Sequence, residues 1–427
     1  GSNRLWRVPL PSGNSSPCIW GSRMFLTGFT EHQLLTLCLD RATGRECWRR
    51  AAPAEKIEPV YPRLGNPASP TAATDGQRVY VYFGSFGLLA YDLAGQELWR
   101  RPLPIPVTEF GSSSSPVLAG DVLVLNCDQD INSHLLAVKC ATGEIAWRTA
   151  RPDFPRGFGT PLVWVHDGTE EIVVPGTIWL KAYDPRDGRE RWRLRGQGRV
   201  VCPSPAAGEG LLFAVSWSPG GDAGNRLSMP AFDAFAADHD RNKNGAFTRD
   251  EFPPGPWLER FSQIDADKDG IVTPAEWNAM AEVFAGAQNA MVAVRPGGLG
   301  DITNTHVAWK QTRGLPYVPS PLCYRGRVYL VKSGGLVSCF EARSGRPFYL
   351  EERLGALGDY YASPIAAGGR IYAASQNGVI VVLADGETLN VLARNDLGEG
   401  IMATPAIVEG RLYVRSLTQL WAFGRQP

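Results

Sequence analysis

The predicted fold class is all-β, an eight-bladed β-propeller of four-stranded antiparallel blades with one helical insertion, and three observations predict it. A Ser-Pro or Thr-Pro pair recurs at Ser16-Pro17, Ser69-Pro70, Ser115-Pro116, Thr160-Pro161, Ser204-Pro205, Ser320-Pro321, Ser363-Pro364 and Thr404-Pro405. A second marker keeps phase with it, in the fullest copies a small residue, an Asp, a glycine turn and then tryptophan: CLDRATGRECW ends at Trp48, AYDLAGQELW at Trp99, AVKCATGEIAW, with Lys139 in the Asp place, at Trp147 and AYDPRDGRERW at Trp192. Strands of alternating character such as RVYVYF, GRVYLV, GRIYAA and GRLYVR follow most of the pairs. Repeats of about 44 residues with four strand signals each are the signature of propeller blades, which pack face to face through apolar and aromatic side chains.

Taken in chain order, LWRVPLP comes first and reads as a tryptophan-bearing strand with no turn glycine before it. The chain ends on GRLYVRSLTQLWAFG, just where such a strand is needed, so the N-terminal strand is expected to complete the last blade and leave no loose edge. Weaker copies of the second marker are AVRPGG with a longer turn before Trp309, CFEARSGRPFY ending at Tyr349 and VLADGETLNVL ending at Leu392. The spacing breaks once, between Pro205 and Pro321, where about 70 additional residues stand. The expected organisation is propeller over 3–218, an insertion over 219–289 in the fifth blade, and propeller again over 290–425.

The insertion carries the clearest chemistry. In DADKDGIVTPAE, oxygen donors stand at the first, third and fifth places as Asp265, Asp267 and Asp269, and Gly270 follows at the sixth. Ile271 offers its carbonyl, Thr273 the ninth position, and Glu276 a two-oxygen carboxylate at the twelfth. Calcium takes six to eight oxygens, and this spacing wraps them around one point, the pattern of an EF-hand loop. Upstream, Asp240, Asn242, Asn244, Ala246 (by its carbonyl), Thr248 and Glu251 fill the same slots around Gly245. Two calcium sites are therefore expected, the second tighter by charge count. Thr273, Pro274 and Glu276 spell a helix start leading into Trp277, Met280 and Phe284, while Pro253 and Pro254 cut the helix after the first loop short. Phe232 and Phe235 supply the apolar stripe before the first loop, and Trp257, Leu258, Phe261 and Ile264 before the second; Phe247 and Val272 are placed to pair the loops.

Composition excludes several classes. Lys plus Arg equals Asp plus Glu at 43 each, so no positive field argues for nucleic acid. No apolar run is long enough for a membrane helix. Gly1-Ser2 reads as a cloning remnant, so an export leader is expected upstream and a periplasmic or secreted location with it. The eight cysteines have no zinc spacing, and Cys38 and Cys339 align with Ala182 and Ala137 of other copies as small buried fillers. The five histidines are scattered, and neither HExxH nor GxSxG occurs.

The AxDxxTGxxxW unit resembles the quinoprotein-type, PQQ-like repeat of pyrroloquinoline-quinone dehydrogenases and of the scaffold lipoprotein of bacterial outer-membrane barrel assembly, over nearly the whole chain outside the insertion. The resemblance implies that Trp48, Trp99, Trp147, Trp192 and Trp309 dock neighbouring blades, with Tyr349 and Leu392 as departures. It also implies, for the dehydrogenases, a quinone at the ring centre beside a calcium ion, an Asp base and a pair of adjacent cysteines. No two cysteines are adjacent here and no CxxCH occurs, so PQQ is not an expected cofactor.

What remains is binding. Loops between blades converge on the central channel, and the residues before each Ser/Thr-Pro pair are candidates for a funnel: Arg63, Asn66, Phe110, Arg156, Phe158, Arg199, Tyr317, Asp359, Tyr360, Tyr361 and Met402. Such residues also commonly plug a channel and cap strand ends. The expected function is a non-catalytic, calcium-binding scaffold with a protein or glycan partner on one face. The alternatives are a PQQ-dependent oxidoreductase of alcohols or sugars and a carbohydrate-binding protein.

Overall fold

The structure is a computed structural model that describes residues 3–108, 110–222 and 228–425. Among the described residues the strands form eight blades, each with four antiparallel strands and nearly all consecutive in sequence. Blade one is typical: Cys18–Trp20, Arg23–Thr30, Gln33–Asp40 and Glu46–Ala51 pair in that order. The eighth blade takes Ala406–Val408, Arg411–Arg415 and Gln419–Phe423 from the C-terminus and its fourth strand, Arg4–Pro9, from the N-terminus. Arg415 reinforces this seam: buried, it donates to Ser15 Oγ at 2.6 Å and to the Thr27 and Pro11 carbonyls at 2.8 and 3.1 Å.

The tryptophan repeat has a structural cause. Trp48, Trp99, Trp147 and Trp309 each donate Nε1–H to a carbonyl of the next blade, on Leu93, Cys140, Pro185 and Ala342, at 2.9–3.0 Å. That blade's turn glycine, Gly95, Gly143, Gly188 or Gly345, lies so close to the ring that a Cβ would stand 2.4–2.6 Å from it. Each of these glycines also has positive φ, so close approach and backbone conformation both demand glycine. The cross-strand neighbour of each tryptophan is small, namely Cys38, Ala90, Ala137 and Ala293, which leaves room for the indole.

Four interfaces depart from this rule, the first at blade eight, where Trp6 docks on Gly44 with its indole N–H unpartnered. Trp192 turns its indole N–H to Glu171 at 2.9 Å, and Gly300–Asp301 runs parallel beside its strand. Tyr349 fills the position in blade six, opposite Cys339. In blade seven the counterpart is Ala393, not Leu392: the turn is one residue longer than in blades one and three, so Val382 faces Ala393 and the bulged Leu392 is 48% exposed. The bulk has moved to the other strand of the pair.

The Ser/Thr-Pro pairs form a chain of hydrogen bonds between blades. Backbone N–H groups donate from Ser16 to the Thr71 hydroxyl, from Thr71 to Ser115, and onward through Thr160, Ser204, Ser320 and Ser363 to Thr404, each at 2.9–3.0 Å. Proline brings no N–H of its own, so one bond from the neighbouring blade satisfies the donor at each Ser/Thr-Pro step. Blade two corrects the sequence pattern: Thr71 takes part, whereas the Ser69 hydroxyl bonds back to the Asn66 carbonyl at 2.6 Å.

The helical unit sits between Leu211–Ser216 and Ala290–Val294, neighbouring strands of blade five that still pair, Ser216 opposite Ala290. The Asn289 side chain clips the neck, accepting from Ser218 N–H at 2.9 Å and donating to the Ser218 carbonyl at 3.0 Å. Helices over Phe232–His239 and Pro274–Gly286, with short ones at Pro256–Glu259 and Phe261–Ile264, surround a core of Phe235, Phe247, Phe252, Phe261, Trp277 and Phe284. Thr273 and Glu276 form a capping box, and Phe247 pairs with Val272 across a two-stranded ladder. Ile178 of blade four belongs to the same core, so the insertion is packed onto the ring.

Candidate functional site

The two loops of the insertion are built alike. In the first, Gly245 N–H donates to Asp240 Oδ2 at 2.9 Å, Asn244 N–H to Asn242 Oδ1 at 3.0 Å, Ala246 N–H to Asn244 Oδ1 at 2.9 Å, and Thr248 N–H to Glu251 Oε2 at 3.0 Å. The second repeats the set: Gly270 to Asp265 at 3.1 Å, Asp269 to Asp267 at 3.2 Å, Ile271 to Asp269 at 2.7 Å, and Thr273 to Glu276 at 2.9 Å. These bonds turn the side chains at the first, third, fifth and twelfth positions inward together. Carboxylate oxygens of Asp265, Asp267 and Asp269 lie within 4.8 Å of one another. Asp265 is 4% exposed, and its Oδ1 has no hydrogen-bond partner. Burial, with the nearby Glu276 charge adding to it, raises its pKa above the usual carboxylate range. Clustered hard oxygens with a buried, unpartnered member fit a divalent cation of the calcium kind.

A cavity of about 610 Å³ opens on the propeller axis, bordered by the hydroxyl-chain residues Ser16, Thr160, Ser204 and Thr404. Of the sequence candidates, Phe110, Arg156, Phe158, Arg199, Tyr317, Tyr361 and Met402 line it. Four do not. Tyr360 is buried in the blade interface with its hydroxyl on the Ala356 carbonyl at 2.9 Å. Asn66 ties Ser12 to the Ala68 N–H, and Arg63 and Asp359 are exposed outside the cavity. Residues the sequence pattern missed include Tyr61, stacked on Phe110 at 5.5 Å between ring centres, and Gln263 from the insertion. Phe158 meets Phe110 edge-on at 5.7 Å, and the Arg156 guanidinium lies 5.5 Å over the same ring.

The insertion reaches this wall through one ring, Phe284, which lies 5.3 Å from the Arg199 guanidinium, and two polar contacts. Gln263 accepts from Arg199 Nη1 at 2.8 Å. Lys268, in the second loop, pairs with Asp130 at 3.1 Å, and Asp130 in turn holds Arg156 by bonds of 2.7 and 3.2 Å. Neither Asp130 nor Lys268 carries a local sequence signal, because their partners are far away in the chain.

Glu58, behind the funnel wall, is another residue the sequence did not reveal. Its Oε2 accepts from Ser112 N–H and hydroxyl at 3.0 and 2.8 Å, while Oε1 is buried without a partner. Burial pushes its pKa up from 4.5 to about 7, against the downward pull of the Ser112 bonds. Between those two values the folded chain holds a proton that the unfolded chain releases. Glu58 therefore contributes stability that is full below its unfolded pKa and lost as pH rises through the folded one. Melting curves from about pH 5 to about pH 8 should show a declining contribution that Glu58→Gln removes.

Comparison with known proteins gives a family model described as outer membrane protein assembly factor BamB, which matches residues 2–159. No curated protein matches. Among solved structures, BamB from Moraxella catarrhalis superposes with a TM-score of 0.62 at 12% identity, covering 99% of each chain. The computationally designed Ika8 protein gives 0.61 at 9% identity over 100% of both chains. Quinohemoprotein alcohol dehydrogenase from Comamonas testosteroni gives 0.54 at 13%, covering 99% of this chain and 77% of that one. At these identities the structural likeness speaks for the fold. With eight blades, tryptophans docked on turn glycines, and a first third that matches that family model, the chain is a β-propeller of the PQQ-like type.

Proposed function

We propose that this protein is a non-catalytic, calcium-binding propeller that serves as a binding or protein-interaction scaffold in the periplasm or outside the cell. The observation that carries the reading is the junction of the two sites: the insertion with both loops packs onto blade four and supplies Gln263 to the funnel wall. Calcium would be held in the first loop by Asp240, Asn242, Asn244, Thr248 and Glu251 with the Ala246 carbonyl. In the second it would be held by Asp265, Asp267, Asp269, Thr273 and Glu276 with the Ile271 carbonyl. Bound calcium neutralises the carboxylates and stiffens the insertion against the ring. A protein partner and an exported location are supported by the assembly factor whose family model matches residues 2–159.

A second reading, a quinone-dependent oxidoreductase, is favoured by one feature: an axial cavity with stacked aromatic rings and arginines would take a planar anionic cofactor. Calorimetric titration of metal-stripped protein with calcium, then with pyrroloquinoline quinone, followed by an assay of alcohol and sugar oxidation, separates the two. Two calcium sites, and no oxidation of an alcohol or sugar by the quinone-loaded protein, are the expected result. Saturable quinone binding accompanied by such oxidation would replace the scaffold reading with the oxidoreductase, and absence of calcium binding would remove the EF-hand assignment. A glycan array on the calcium-loaded protein tests a carbohydrate ligand for the same cavity.

A further inference from the structure

We propose that the second calcium loop and the axial funnel are coupled, so that calcium at Asp265–Glu276 tightens the funnel's hold on an anion carrying a flat apolar group. The inference rests on the calcium reading above and adds to it a ligand class and a direction of control.

The ligand class follows from what the funnel lacks. Arg156 and Arg199 both line it. Among the described residues no carboxylate pairs with Arg199: Nη1 is spent on the neutral Gln263, and Nε is buried without a partner. Burial, then the nearby charges of Arg260 and Arg156, pull its pKa below the usual guanidinium range. A half-buried cation beside other cations is costly, and an incoming carboxylate offsets that cost with charge-assisted hydrogen bonds. Tyr61, Phe110 and Phe158 form an aromatic run next to these guanidiniums, suited to a flat apolar body.

The coupling follows from what holds the two arginines. Gln263, which anchors Arg199, stands two residues before the first ligand of the second loop. Lys268 is the fourth residue of that loop, and it shares Asp130 Oδ2 with Arg156. Both funnel arginines are thus tethered to the segment that calcium would order. Without the ion, the carboxylates of Asp265, Asp267, Asp269 and Glu276 repel one another and work against the loop closure that places Lys268 and Gln263. With the ion that repulsion is gone and both tethers are fixed. Couplings of this kind are typically about 5–150-fold in affinity, and they are reciprocal, so the anion must raise calcium affinity by the same factor.

The test uses the full chain and two probes, naphthoate and its uncharged analogue naphthalenemethanol, titrated with and without calcium. Naphthoate should bind the calcium-loaded protein at least about tenfold more tightly than the alcohol, and about tenfold more tightly than it binds the metal-stripped protein. Arg199→Gln should abolish the preference for the anion. Lys268→Gln, which alters no calcium ligand, should still bind calcium but lose most of the calcium-dependent gain. A peptide with a free C-terminal Phe, run beside its amidated form, separates the sources of the anion: tighter binding than naphthoate assigns it to the chain end of a partner, weaker binding to a small molecule. Calcium binding with no change in naphthoate affinity would overturn the coupling while leaving the calcium reading intact. No calcium binding at all would remove both. Equal affinity for acid and alcohol, or no binding of naphthoate by the calcium-loaded protein, would overturn the ligand class.

Discussion

Asp128→Ala should lower the unfolding free energy by about 3–5 kcal/mol, the usual cost of leaving one member of a buried ion pair alone. Asp128 and Arg151 form a bidentate pair, Nε to Oδ1 at 2.8 Å and Nη2 to Oδ2 at 2.9 Å, with both side chains 0% exposed. Burial pulls the Arg151 pKa down, but Asp128 and Tyr183 outweigh it and hold the guanidinium charged. Removing the carboxylate strands that charge against Phe154, whose ring lies 3.9 Å from the guanidinium carbon, and Tyr183, which still accepts from Nη1. An aromatic face returns only about 1–2 kcal/mol of the lost attraction. The paired replacement Asp128→Leu with Arg151→Met should cost much less than Asp128→Ala, because it removes the stranded charge together with its partner. With unfolding entropy near 2.1 cal/mol/K per residue, the single change should lower Tm by roughly 3–6 °C. Equal losses in the single and double variants would show that packing, not charge, holds this site.

The blades were legible because docking puts fixed residue types at fixed spacing: a glycine under each indole, a small residue opposite it, a hydroxyl beside a proline. What a period cannot show is a local change of register. A turn one residue longer moves the docking position in blade seven from Leu392 to Ala393, and in blade two the chain of hydroxyls runs through Thr71 two residues past Ser69. Tyr360 and Tyr361 show the same limit at the funnel: successive residues of extended chain face opposite ways, so one enters the blade core and the other lines the cavity. The oxygen-bearing side chains that both loops of the insertion turn inward were legible because each loop gathers them from twelve consecutive residues. Tyr61, Glu58 and the Lys268–Asp130–Arg156 relay could not, since each depends on contacts between segments that only the closed ring brings together.

Glu276→Gln should weaken calcium binding at the second loop by on the order of a hundredfold while leaving the propeller folded. Altering even an outer hydrogen-bond partner of a metal ligand costs about 10–100-fold in affinity, so removing the charge of a two-oxygen ligand belongs at or above the top of that range. The amide keeps one carbonyl oxygen, enough for either the Ala266 N–H or the Thr273 N–H, which Glu276 accepts at 2.9 Å with separate oxygens. Loop and helix cap are thus loosened but not lost. Damage should stop at the neck, where Ser216 pairs with Ala290 and Asn289 clips Ser218 independently of the loops. The first site should weaken only slightly, through the Phe247–Val272 ladder that joins the two loops. Calorimetry should therefore show one site retained and one displaced to high calcium concentration. Thermal melts in chelator should coincide with those of the parent protein, and the rise in Tm on adding calcium should shrink. Unchanged affinity at both sites would contradict the ligand set, and a lower melting temperature in chelator would mean that Glu276 holds the fold rather than the ion.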